Sequence, residues 1–216
     1  MAGEFNINSD FENDNLQNHL GDKQPKKSRK DDIFEWLEIF ASVIVAVVLL
    51  FTFVIKVATI EGQSMEKTLF GGQKVIISDF LYTPKNGDIV VISRNSQNSY
   101  TEDLSVSNMP IIKRVIATEG QTVGIDFEKG VVYVDGKPLE ENYTNTPTNL
   151  KYDIEYDVNN PVTVPKGHVF VLGDNRNNSL DSRSSQIGEN GMVDTRYILG
   201  RALVRVFPLS ELGVLK

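Results

Sequence analysis

The chain of 216 residues contains no cysteine, so it can form no disulfide bond and has neither a thiol nucleophile nor a cysteine metal site. Any folded domain must therefore be stabilised by its apolar core. The sequence also has no excess of basic residues. Its formal net charge of -7 argues against a nucleic-acid partner, because such domains usually present a basic face to the phosphates.

Charged residues are missing from one long stretch, positions 39 to 55. With the apolar residues at 33–37 it approaches the ~20 residues that a helix needs to cross a bilayer. A buried soluble helix of this length would normally keep a polar face. The stretch is longer than the ~7 to 15 apolar residues of a signal peptide and has no clear Ala-x-Ala site after it. We therefore expect a retained transmembrane helix over 33–57.

Basic residues are concentrated before this helix. Lys23, Lys26, Lys27, Arg29 and Lys30 precede it, whereas lysines are spread out after it. By the positive-inside rule, the amino terminus is cytoplasmic and the rest extracytoplasmic, in a cell membrane crossed once. A plain solvated linker is the alternative reading of the cluster. Residues 1–32 are polar and lack an apolar period, which predicts a disordered cytoplasmic tail.

Residues 58–216 are expected to form one extracytoplasmic, mainly β domain. Asp135-Gly136 is a strong hairpin signal between two of its runs. The segments at 95–108 and about 140–160 are polar, and we interpret them as surface loops or a small β excursion. The runs rich in β-branched residues lie at 74–78, 88–92, 111–116, 131–134, 169–172 and 202–206.

Ser64 lies a few residues beyond the apolar stretch, and a serine hydroxyl is a poor nucleophile without a base. His19 lies in the tail, and His168 at a strand start is more often an ordinary half-exposed residue. Lysine remains. Lys113 shares its predicted strand face with Ile111 and Val115, and burial lowers a lysine pKa. On these residues alone, a lysine that extends to solvent is slightly favoured.

The polar segment 173–183 follows the strand at 169–172. Alternating Asp and Asn residues would suit calcium, but the spacing and the closing Glu of an EF-hand loop are missing. A self-bracing loop is the preferred interpretation. Asp181 can pair with Arg183 or Arg176, and the Ser179 hydroxyl can hydrogen-bond a neutral amine. We expect no metal.

Four segments, 62–69, 87–91, 113–116 with Gly120, and 173–183, resemble the motifs of the bacterial type I signal peptidases in order and spacing. These are Ser/Lys-dyad leader peptidases of family S26. The last segment is the most specific, since it matches Gly-Asp-Asn-Arg-x-x-Ser-x-Asp-Ser-Arg at every fixed position. The resemblance extends from the apolar stretch to Pro208.

The resemblance implies an antiparallel β-sheet catalytic domain of the signal peptidase type. It implies a serine endopeptidase that removes signal peptides from exported preproteins at the outer face of the cytoplasmic membrane, with no cofactor. By motif position, Ser64 matches the nucleophile and Lys113 the general base. Ser179 matches the hydroxyl that orients the amine, and Asp181 and Arg183 match an ion pair that holds the loop.

Other positions are less certain matches. The Ser64 backbone N–H is expected to stabilise the oxyanion, because Gly62 stands where some members supply a serine hydroxyl. Met65 is a candidate wall of the substrate pocket, although Met is more often core packing. Lys67 replaces a common Pro, and Gln121 a frequent Asp; neither transfers the proton.

Two other functions remain open. One is a non-enzymatic, membrane-anchored relative that assists surface-protein assembly, which the presence of Ser64 and Lys113 disfavours. The other is a Ser/Lys autoprotease that controls a regulator, which the transmembrane helix and the acidic tail disfavour. The expected partners are therefore signal peptides of exported preproteins and the lipid bilayer.

Overall fold

The computed structural model describes residues 29–93, 109–154 and 156–215. Helix α1 spans Arg29–Phe53, and its Asp32–Thr52 part is long and apolar enough to cross a membrane. The helix starts and ends four residues before the predicted limits of 33 and 57, because Lys56 and Val57 already belong to the first strand. By its contacts the chain divides into two units, residues 1–46 and 47–216.

After α1 the described residues form twelve strands in two sheets. The larger sheet has the order β1-β2-β11-β3-β4-β9-β10, with β12 paired to β11, and the smaller has the order β7-β6-β5-β8. Every pair is antiparallel, as expected for a mainly β domain. The strands are β1 (Lys56–Thr59), β2 (Lys74–Ser78), β3 (Ile89–Ile92), β4 (Ile111–Thr118), β5 (Thr122–Asp126), β6 (Val131–Val134), β7 (Lys137–Pro138), β8 (Val162–Thr163), β9 (His168–Leu172), β10 (Val193–Asp194), β11 (Ile198–Phe207) and β12 (Gly213–Val214).

The β-branched runs of the sequence all become strands, and the predicted hairpin joins β6 to β7. Asp135 and Gly136 have φ values of 51° and 72°. Positive φ at both central residues is what a two-residue type I′ turn requires, and Asp-Gly is one of the pairs that adopt it readily. Short 3-10 turns at Arg176–Asn178, Thr195–Tyr197 and Leu209–Glu211 complete the elements.

Strand β4 lies at the centre of the packing. Its residues 112 to 117 are all buried, and its side chains enter three different apolar clusters. Ile112 packs with the cluster under β1 and β2, Val115 with one around β3 and β9, and Ile116 with the cluster that joins the two sheets. Residues on β4 are therefore carried by a strand packed on both faces, as a rigid site needs.

The two polar segments that the sequence predicts as loops are described to different extents by the structure. The segment 95–108 lies entirely outside the described residues. The segment at 140–160 has no strand within its described part, but it is not a free surface loop. Residues 141–154, here called the strap, lie along the polar segment 173–183 and hydrogen-bond to it repeatedly.

The aromatic pair in the cluster between the sheets gives a test of this packing. Phe170 is fully buried, and its ring meets Tyr156 edge-on, with centroids 5.6 Å apart. We expect Phe170→Ala to lower the free energy of unfolding by about 3–5 kcal/mol, because it leaves a cavity. Urea unfolding of the full chain in detergent, followed by circular dichroism, measures the change.

Phe80→Ala is the matched control, since Phe80 is 61% exposed and its loss should cost less than ~0.5 kcal/mol. Equal losses for the two variants would contradict the assignment of this core.

Candidate active site

Ser64 and Lys113 are 49 positions apart in sequence and meet in the structure. The Lys113 Nζ donates to Ser64 Oγ at 2.8 Å and to the carbonyl oxygen of Ile112 at 3.0 Å. Lys113 is 3% exposed, on β4, so its side chain does not extend to solvent as the simpler interpretation of the sequence had it. Ser64 is half-buried in the turn that follows β1.

The loop after β9 holds the segment that carries Ser64. The Asn175 N–H donates to the Ser64 carbonyl at 2.9 Å, and Asn175 Nδ2 donates to the Gln63 carbonyl at 3.0 Å. Asn178 Nδ2 donates to the Gln63 side chain at 3.1 Å. The backbone at Ser64 is therefore positioned by a segment more than one hundred residues away in sequence.

Gly173 permits a close approach between these two segments. A Cβ at this position would collide with the Ser179 side chain and with the carbonyl oxygen of Ser64. Ser179 is 3% exposed, and within the described part of the chain its hydroxyl has no hydrogen-bond partner. A buried hydroxyl without a hydrogen-bond partner lowers the stability of the fold, so its presence in a site points to a role in function.

An ion pair inside the loop fixes its shape. Arg183 donates to both Asp181 oxygens, at 2.8 and 2.9 Å, and both side chains are buried. Asp181 also accepts the backbone N–H of Gly173 at 3.0 Å. Of the two arginines that the sequence left open as partners of Asp181, Arg183 forms the pair. Arg176 instead pairs with Glu141 of the strap.

A second buried pair escaped the sequence reasoning. Arg114, next to Lys113 on β4, donates to both Asp174 oxygens at 2.8 and 2.7 Å, and Asp174 also accepts from the Thr68 hydroxyl. The available signal was an arginine inside an apolar run, because a buried charge needs a partner. The sequence could not say which carboxylate supplies it. This pair joins β4, the loop after β9 and the segment after Ser64.

Arg176 is charged although it is buried. Burial alone lowers the pKa of its guanidinium, but the hydrogen bond and ion pair with Glu141 outweigh it and hold the pKa above its usual value. Arg176 also donates to the Thr148 hydroxyl at 2.7 Å and to the Gly173 carbonyl at 3.0 Å. Arg176 thus connects the strap to Gly173, the loop residue at the close approach to Ser64.

Gln121 lies in the turn between β4 and β5, where its side chain accepts from the Thr118 N–H at 3.0 Å and donates to Asp135 at 2.8 Å. The other three positions lie near Ser64 in the chain. Met65 is 1% exposed and packs in the cluster that contains Leu69 and Ile112. Gly62 is exposed, with φ of 75°. Lys67 reaches across to the strap, where its amine donates to the Asn142 carbonyl at 2.9 Å.

Strand β4 extends past the end of its neighbour near Ser64. Strand β9 pairs with β4 from Arg114, opposite Leu172, onward, and Leu172 is the last residue of β9. Ile111 and Ile112 therefore lie beyond β9, on the stretch of β4 that leads to Lys113. His168 is at the opposite end of β9, about 16 Å of strand from Gly173.

Comparisons with known proteins agree with the motifs. The model of the family described as signal peptidase, peptidase S26, matches residues 33–207. The probable signal peptidase I-2 of Synechocystis sp. (strain ATCC 27184 / PCC 6803 / Kazusa) is 36% identical over 198 residues, which are 88% of this chain and 82% of that protein. The signal peptidase IB of Staphylococcus aureus (strain COL) is 32% identical over 201 residues, 84% of this chain and 93% of that one.

A crystal structure of a signal peptidase I from Enterococcus faecalis shares 25% sequence identity, with a TM-score of 0.38, over 56% of this chain and 97% of that one. The family match covers most of the chain and includes the Ser64, Lys113 and 173–183 segments. The resemblance of the motifs is thereby confirmed: the chain belongs to the signal peptidase family, peptidase S26.

Proposed function

We propose that this chain is a type I signal peptidase, a membrane-bound serine endopeptidase that cleaves signal peptides from exported preproteins with a Ser64/Lys113 dyad. The observation that carries the proposal is the 2.8 Å hydrogen bond between Lys113 Nζ and Ser64 Oγ, with the lysine 3% exposed. Burial away from water favours the neutral form of a lysine amine, and only the neutral amine can accept a proton.

The chemistry proceeds in two halves. Lys113 takes the Ser64 proton while Oγ attacks the scissile carbonyl carbon, and the Ser64 backbone N–H stabilises the oxyanion. The protonated Lys113 then gives this proton to the leaving amine as the peptide bond breaks. In the second half, the neutral amine takes a proton from a water molecule as its oxygen attacks the acyl carbon, and it returns this proton to Ser64 Oγ as the ester bond breaks. No step needs a cofactor.

Ser179 has a defined task in this scheme. Its buried hydroxyl makes no hydrogen bond within the described residues and lies beside Gly173 and the Ser64 carbonyl. We assign it to the Lys113 amine, which it orients toward Ser64 once substrate is bound. The Asp181–Arg183 pair keeps the Ser179 segment in place.

The signal peptide binds as an added strand. Ile111 and Ile112 extend past β9, so an extended peptide can lie beside this part of β4 with its scissile bond at Ser64. As a wall of the substrate pocket, Met65 can offer a bound side chain only its outermost atoms, because it is 1% exposed and packs with Leu69 and Ile112 in the core.

Helix α1 supplies the membrane anchor in this proposal. It crosses the cytoplasmic membrane once, with the amino terminus cytoplasmic and the β domain outside, as the distribution of lysine and arginine indicates. The substrate is itself held in the membrane by its signal peptide. Confining enzyme and substrate to one bilayer raises their effective concentration, so weak binding in a shallow groove is sufficient.

The dyad predicts the outcome of two substitutions. Ser64→Ala and Lys113→Ala should each lower preprotein cleavage in detergent by at least about 10³-fold, because each removes one half of the proton transfer. Gel-based cleavage of a preprotein measures the rate, and circular dichroism shows that the fold is retained. The matched controls are Ser210→Ala and Lys129→Ala, which change exposed residues and should keep full activity. Near-normal turnover by Lys113→Ala would overturn the dyad.

The pH dependence follows from the same proton. Activity should rise with pH as the Lys113 amine deprotonates, and should be lost as the pH falls and the amine becomes charged. Lys113→Arg should be inactive across the profile, since a guanidinium does not deprotonate in this range. A chelator should leave the rate unchanged; inhibition by chelation would instead favour a calcium site in the 173–183 loop.

The close approach at Gly173 gives a third test. Gly173→Ala should lower kcat/KM by at least about 10²-fold, because its methyl group displaces either Ser179 or the Ser64 backbone. Gly71→Ala is the control, since its Cβ would meet only the Gly62 carbonyl oxygen, at an ordinary 3.5 Å. Similar activities of the two variants would show that the contact at Gly173 is not required.

A further inference from the structure

The strap contacts the 173–183 loop along its whole length. Its Glu141 and Thr148 bind Arg176, and its Leu150 carbonyl accepts from Arg183 Nη1 at 2.8 Å. Further along, the Tyr152 hydroxyl donates to the carbonyl oxygen of Ser179 at 2.9 Å. The strap therefore reaches the backbone of Ser179, whose hydroxyl lies beside Gly173, where the Ser64 carbonyl also approaches.

The position of the Ser179 hydroxyl depends on its backbone. Since the hydroxyl has no hydrogen-bond partner within the described residues, no side-chain contact of that kind fixes it. The Ser179 carbonyl has two donors, Tyr152 at 2.9 Å and Arg183 Nη2 at 3.3 Å. Arg183 Nη2 also donates to the Arg176 carbonyl at 2.6 Å and to Asp181 at 2.9 Å. The hydrogen bond from the Tyr152 hydroxyl to the Ser179 carbonyl is therefore shorter than the one from Arg183, and its donor is not shared with other acceptors.

The Tyr152 ring adds a second contact to the same group of residues. The Arg183 guanidinium lies 5.4 Å from the ring centroid, within the range of a cation–π interaction. Burial raises the pKa of the Tyr152 hydroxyl above its usual value near 10. The phenol is therefore protonated, and able to donate, throughout a neutral assay range.

We propose that Tyr152 is a positioning residue of this peptidase: its hydroxyl holds the Ser179 carbonyl and thereby places the Ser179 hydroxyl against the Lys113 amine. This inference rests on the proposed function, because it acts through the orientation of the lysine. The hydroxyl of Tyr152 donates to the Ser179 carbonyl, so any effect of Tyr152 on the reaction passes through Ser179.

The test is a double-mutant cycle on the full chain in detergent. Tyr152→Phe removes only the hydroxyl and should lower kcat about ten-fold, equivalent to one hydrogen bond of about 1.4 kcal/mol, with KM unchanged. Its pH profile should shift in the same direction as that of Ser179→Ala. In the Ser179→Ala background, the same change should lower kcat less than about two-fold, because the hydroxyl to be positioned is gone.

Tyr156→Phe is the matched control. The Tyr156 hydroxyl donates to the Ser182 carbonyl of the same loop at 2.8 Å and is more deeply buried. Its removal should lower the melting temperature more than Tyr152→Phe does. Any fall in kcat should be the same with and without Ser179→Ala, because the proposal gives Ser182 no role in orienting the Lys113 amine.

The outcomes separate this inference from the dyad. If Tyr152→Phe keeps the original kcat and pH profile while Ser64→Ala and Lys113→Ala are inactive, Tyr152 has no positioning role and the dyad stands. Equal losses from Tyr152→Phe in both backgrounds would likewise reject action through Ser179. If Ser179→Ala itself changes neither kcat nor the pH profile, the role given to Ser179 fails, and that of Tyr152 with it.

Discussion

The burial of one lysine amine against one serine hydroxyl is the constraint on which the rest of the site depends. Lys113 is useful as a base only where water does not stabilise its charged form. Three buried arginines lie around the site, Arg114 on β4 and the other two in the 173–183 loop, and each is matched by a carboxylate: Arg114 by Asp174, Arg183 by Asp181, and Arg176 by Glu141. The positive charges are thus compensated locally. Buried pairs of this kind add little net stability, and their value here is geometric. The Arg114 and Arg176 pairs each join two segments, and the Arg183 pair fixes the shape of the 173–183 loop.

The site combines a residue on a packed strand with residues on turns that other segments hold in place. Lys113 is carried by β4, which is packed on both faces by apolar clusters. Ser64 and Ser179 lie on turns, and hydrogen bonds from Asn175 and Tyr152 hold their carbonyl oxygens. Next to Ser64, Met65 is buried in the core. The core therefore fixes the proposed base, core packing and polar contacts together place the nucleophile, and polar contacts place the orienting hydroxyl. Glycine at position 173 is what allows those contacts to be so close.

The sequence predicted the strands and the hairpin, which are determined by residues close together in the chain. The β-branched runs and the Asp135-Gly136 turn became strands and a hairpin, because propensity and turn geometry act over a few residues. The family resemblance named Ser64 and Lys113, but their 2.8 Å contact joins positions 49 apart, and no local pattern contains it. The partners of Arg114 and Arg176 were missed for the same reason. The strap was interpreted as a surface loop because its polar residues have no period; their hydrogen bonds go to another loop rather than to a sheet.

The strap has a further consequence through its place in the chain. It begins three residues after β7 ends and is followed by β8, and both of these strands belong to the four-stranded sheet. Proteins open in cooperative parts, each with its own free energy, and short strands at a sheet edge are among the first to separate. Separation of β7 and β8 from this sheet would loosen both ends of the strap without first breaking a strand pair of the large sheet. The order of the strap is thereby tied to two short edge strands rather than only to the shared core.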